Sequence, residues 1–76
     1  MTFYTFIEPL RLEAWGHAVG SQFRAQEDGS RRAWAEAARA WDALAKLYTH
    51  EERDREIFVS LGREAWFKVL FLRSDA

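Results

Sequence analysis

Trp34, Ala37, Trp41, Leu44 and Tyr48 follow one another at intervals of three, four, three and four residues. That spacing places all five on one face of a helix and supplies a continuous apolar seam, which a water-soluble chain must bury. Ala38 and Ala45 flank the seam and allow close approach by a neighbour. A helix at this place needs partners, and the chain has only 76 residues from which to build them. One domain spanning residues 1–76 is the natural count.

Two breaks divide the chain. In the first, Asp28-Gly29 is followed by Ser30, a good N-cap. In the second, around residues 48–52, Thr49 and Glu52 have the spacing of a capping box. The pattern predicts an all-α fold, a compact three-helix bundle. Its helices are expected near 8–26, 31–48 and 50–73, with Pro9 in the first turn of the first. Residues 2–7 are then an aromatic N-terminal extension carrying Phe3, Tyr4, Phe6 and Ile7. Asp42 and Lys46 form an i,i+4 pair expected on the outer face of the second helix. The fragment Trp41-x2-Leu44-Ala45-x2-Tyr48 resembles the opening of a tetratricopeptide repeat, but the small residues of that repeat's second helix do not follow.

The first helix offers Leu12, Trp15, Val19 and Phe23 as its apolar side, and these are the expected core residues. Gly16 and Gly20 border that stripe. A mid-helix glycine costs about 1 kcal/mol relative to alanine, so two of them call for a reason. The expected one is room for a bulky neighbour, Trp34 or Trp41. A contact between two copies of the chain and a local kink are the alternatives. On the first reading Gly16→Ala destabilises by overpacking, by about 1–3 kcal/mol.

The third helix has more apolar surface than one core needs. Ile57, Phe58, Leu61, Ala65, Val69 and Leu72 make the expected core face. Val59, Trp66 and Leu70 lie nearly opposite, with Phe67 and Phe71 on the flank. A helix that is apolar nearly all round is buried on more than one side. Either the aromatic leader folds over it or another protein does. The candidate partner-binding residues are therefore Val59, Arg63, Trp66, Phe67, Leu70 and Phe71, with Phe3, Tyr4 and Phe6 of the leader. The leader's β-prone composition also admits strand addition to a partner's sheet.

Other functions find little support. Cysteine is absent, which removes disulfides and thiolate metal sites. Glu13 and His17 share a helix face but make only half a metal site, and His50 reads as a residue of a helix start. No phosphate loop, nucleophile elbow or zinc-protease motif occurs. The expectation is no enzymatic activity, no cofactor, no metal and no small-molecule substrate.

Charge is balanced along the chain, with six basic and six acidic residues in 1–50 and five and six in 51–76. That balance disfavours nucleic acid as a partner. The rival reading is a small helix-turn-helix regulator, which would use Arg24, Arg31, Arg32 and Arg39. No run of apolar residues is long enough to span a bilayer, and the first residues lack the features of a secretory signal. A cytoplasmic location is expected. The sequence thus favours a non-enzymatic interaction protein, an accessory factor or inhibitor that binds a larger protein or a second copy of itself.

Overall fold

A computed structural model describes the backbone of residues 2–72 and the side chains of residues 8–72. It contains three helices and, among the described residues, no strand: α1 (Thr2–Asp28), α2 (Arg31–Ala45) and α3 (Glu52–Phe71).

The first break works as its sequence implies. Gly29 takes a positive φ of 75°, and its amide bonds to the Ala25 carbonyl at 2.7 Å, closing α1. Ser30 then caps α2, its hydroxyl accepting from the Ala33 amide at 3.1 Å. A two-residue turn makes α1 and α2 antiparallel neighbours.

The second break differs from expectation. α2 ends at Ala45, and Leu47 and Tyr48 bond back three residues in tight turns. Thr49 and Glu52 form no capping box, because the N-cap position falls on Glu51, which makes no side-chain cap bond. Arg55 reaches back instead and donates to the Thr49 carbonyl at 3.0 Å. Tyr48 keeps its expected place in the seam although it lies beyond the helix, packing on Phe58 with ring centroids 5.0 Å apart.

α1 also begins earlier than the pattern indicates. Phe3, Tyr4, Phe6 and Ile7 stand on its helical backbone, and Pro9 lies inside the helix rather than in its first turn. The side chains of these four leader residues lie outside the described ones, as does the expected cover of the third helix by the leader.

The helices form a slab with α2 in the middle. α1 and α3 each pack on α2, and among the described residues their backbones do not approach one another. The molecule measures 49 × 19 × 12 Å, with a radius of gyration of 13.5 Å against about 11 Å for a compact chain of this length. Much of the long dimension is α1, whose 27 residues at about 1.5 Å each run well past the 15 of α2.

Among the described residues, the buried apolar ones are seven alanines, two tryptophans and one leucine. This composition sets the packing. α1 meets α2 through Ala14, Ala18, Ser21 and Ala25, which step by four, three and four residues; of the four residues expected there, Val19 packs on this core, whereas Leu12, Trp15 and Phe23 are exposed. Small side chains on α1 let its backbone come close to Ala37 and Ala40 of α2. Trp34 and Trp41 fill the crevice between the outer helices. The Trp41 indole N–H donates to Gln22 Oε1 of α1 at 2.7 Å, and its ring stacks on Phe58 of α3.

On α3 the face toward α2 is centred on Gly62 and Ala65, which are buried, with Phe58 and Val69 beside them. Ile57, expected in the core, is exposed. The rotation follows from Gly62. A Cβ there would lie 2.5 Å from Asp42 Oδ1 and 3.4 Å from the Trp41 Cβ, so this glycine sits where α3 comes close to α2. Asp42 forms no ion pair with Lys46. It turns toward α3 and accepts from the Trp66 indole N–H at 3.1 Å.

Candidate interaction surface

A core built from alanine leaves the large apolar side chains without a place inside. They gather on the two outer edges of the slab. On α3, Phe67, Leu70 and Phe71 are 50%, 74% and 78% exposed. Their i, i+3, i+4 spacing makes them one patch on the side of α3 away from α2. Phe67 and Phe71 stack with centroids 6.2 Å apart and ring planes within 18°. Arg63, one turn earlier, is also exposed.

The other expected partner residues separate from this patch. Trp66 is half-buried, packs against the core beside Trp34 and Ala65, and gives its N–H to Asp42. Val59 is half-buried and lines a shallow hollow with Asp42, Ala45, Lys46 and Arg55. α2 therefore draws in one flank of the second apolar face and leaves the other flank open. Phe3, Tyr4 and Phe6 are not among the residues whose side chains are described.

The second exposed edge is the stripe on α1 that the sequence pattern assigns to the core. Leu12, Trp15 and Phe23 are 71%, 48% and 64% exposed. No aromatic ring fills a groove at the glycines. A Cβ on Gly16 would meet nothing within 4 Å, and one on Gly20 would meet only the Arg24 guanidinium at 3.8 Å.

The chain matches no protein-family model, no curated protein and no solved structure. Any functional reading therefore rests on the surface itself.

The basic residues do not form one face. Arg31, Arg32 and Arg39 line a shallow hollow between α2 and α3, but Glu36 sits among them. Arg31 donates to the Val69 carbonyl at 3.2 Å. Arg24 stands on α1, outside this hollow, and donates to the Ser21 hydroxyl at 3.3 Å. Glu13 and His17 line another hollow with Leu10, Ala14, Ala43 and Leu47. Among the described residues, no three His, Cys, Asp or Glu side chains gather where a metal could bind. Nor is any helix long and apolar enough to cross a membrane among the residues searched.

The most developed polar cluster is structural. Arg11 lies over the Tyr48 ring at 4.1 Å, donates through Nε and Nη2 to the Leu47 carbonyl at 3.1 and 2.9 Å, and pairs with Glu51 at 3.0 Å. It fastens α1 to the α2–α3 loop and supplies donors to a carbonyl just beyond the end of α2. Burial works against the charged form of Glu51, but the Arg11 hydrogen bond and charge, helped by backbone hydrogen bonds, hold its carboxyl below its ordinary pKa. An arginine in this role was hidden in the sequence, where it reads as one more surface charge.

Proposed function

We propose that this protein is a non-enzymatic interaction module, an accessory factor or inhibitor that docks on a larger protein through the C-terminal half of α3. The observation that carries the reading is the patch of Phe67, Leu70 and Phe71, three neighbouring large side chains that are each at least half exposed. Exposed apolar clusters of this kind mark interaction sites on soluble proteins. Their i, i+3, i+4 arrangement suits insertion of one helix face into an apolar groove. Arg63 at the rim supplies a charge that a groove lined with acidic residues would select. Trp66 supports the site from behind by fixing α3 on α2. The basic hollow on α2 supports a nucleic-acid role less well, because Glu36 offsets its charge.

The test is capture of binding proteins by the wild type and by a Leu70→Glu/Phe71→Glu variant, with mass spectrometry as readout and circular dichroism to confirm folding. A partner held by the wild type and by Leu12→Glu, but lost by the α3 variant, is the expected result. Identical capture by all three proteins would overturn the assignment.

A further inference from the structure

We propose that the exposed stripe of α1 is the contact surface of a second copy of this chain, the two α1 helices running antiparallel. This rests on different residues from the α3 patch and stands or falls separately. At about 100° per residue, Leu12, Trp15, Val19 and Phe23 occupy an arc of about 80°, with Gly16 and Gly20 on its far flank. That arc points away from Ala18, Ser21 and Ala25, which are buried toward α2. Val19 at its centre packs on the core cluster of Ala40 and Trp41, so a partner helix lies toward the glycine side of the arc, over Leu12, Gly16, Gly20 and Phe23, opposite the face buried on α2.

The occupant is argued from complementarity of the stripe with itself. In an antiparallel pair related by a twofold axis, facing residues have position numbers of nearly constant sum. With the axis near residue 18, Leu12 faces Phe23 of the second copy and Gly16 faces Gly20. The glycines let the backbones approach to about 8 Å, the close end of the usual range. The same register brings Glu13 opposite Arg24 of the second copy. These two residues lie on one flank of α1, only about 20° apart around the helix, and in an antiparallel pair like flanks meet. The axis repeats the pair, so the dimer gains two opposite-charge contacts. Both side chains are exposed, and neither has an ion-pair partner among the described residues of its own chain.

The size of the patch sets the strength. Its large side chains offer about 400 Å² per copy, half of the roughly 800 Å² per partner of a standard interface. An interface this small makes at most a weak dimer, so the test extends to high concentration.

Sedimentation velocity of the full chain from about 5 to about 500 µM tests this. The wild type should pass from monomer to dimer over that range. Phe23→Glu should raise the midpoint by about tenfold or more. Glu13→Arg should also raise it by setting arginine against Arg24, and adding Arg24→Glu should restore it, since the swap returns both pairs. A chain that stays monomeric throughout overturns the proposal. So does a dimer indifferent to Phe23→Glu, or one whose charge swap gives no rescue. Dimerisation lost in Leu70→Glu/Phe71→Glu and kept in Phe23→Glu would place self-association on α3 instead.

Discussion

Asp42 on α2 accepts the indole N–H of Trp66 on α3 at 3.1 Å, and the absence of a side chain at Gly62 leaves its carboxylate the space to do so. An alanine at position 62 would put its Cβ 2.5 Å from Asp42 Oδ1. The carboxylate must turn aside, and because Oδ1 and the accepting Oδ2 belong to one rigid group, the bond to Trp66 is weakened. A hydrogen bond to a charged group contributes about 1.5–3 kcal/mol. The alanine gains about 1 kcal/mol in helix propensity. Gly62→Ala should therefore destabilise by about 1 kcal/mol. In an Asp42→Ala background the nearest remaining atoms are Trp41 Cβ at 3.4 Å and the Ala38 carbonyl oxygen at 3.5 Å, which leave room. There the same substitution should stabilise. Denaturant unfolding of the four proteins in the double-mutant cycle reads the change of sign.

Gly16 has the opposite environment. It is exposed, and an added Cβ meets nothing within 4 Å. The overpacking expected from the sequence has no neighbour to cause it. Gly16→Ala should stabilise the monomer by about 0.5–1 kcal/mol, measured by thermal melting at a few micromolar, where a weak dimer is dissociated.

The contrast between these glycines shows what the sequence could reveal. Three helices and the first turn were legible because Asp28-Gly29-Ser30 carries its own chemistry, a left-handed glycine and a hydroxyl cap. The seam of α2 was legible because it holds the two buried tryptophans. The buried face of α1 was not. Apolar periodicity selects the largest hydrophobic stripe, Leu12 to Phe23, of which only Val19 packs on the core, whereas α1 is buried through Ala14, Ala18, Ser21 and Ala25. Close backbone approach favours small side chains, and alanine and serine contribute little to an apolar pattern. Gly62 was hidden for the same reason. On α3 the surplus of apolar surface was legible, and Phe67, Leu70 and Phe71 are indeed exposed, but the inward turn of Trp66 depends on Asp42, a partner on another helix.

Gln22 is the sole hydrogen-bond acceptor found for the Trp41 N–H among the described residues, and Trp41 is almost fully buried. Gln22→Ala would remove that acceptor and leave the N–H facing the hollow shared with Gln26. A loss of about 1–2 kcal/mol is expected in chemical denaturation. Because the cost is that of a lost acceptor, Gln22→Glu, which keeps one, should recover most of it.

Arg11 and Glu51 give the molecule an acid-sensitive joint. The Glu51 carboxyl lies below its ordinary pKa: desolvation opposes the charged form, but the Arg11 hydrogen bond, its positive charge and the backbone hydrogen bonds prevail. A carboxylate whose folded pKa is depressed stabilises the fold fully above the unfolded value, near about 4.3, and that contribution disappears as pH falls through the folded value. Glu51→Gln should therefore melt below the wild type at about pH 6. The two should converge as pH drops through about 4 toward 2, because the wild-type side chain is then neutral as well. In an Arg11→Met background the gap at pH 6 should shrink, since the guanidinium that favours the carboxylate is gone. A gap between wild type and Glu51→Gln that stays the same from pH 6 to pH 2 would show that the pair contributes nothing through charge, and that Arg11 fastens α1 to the loop through the Leu47 carbonyl and the Tyr48 ring alone.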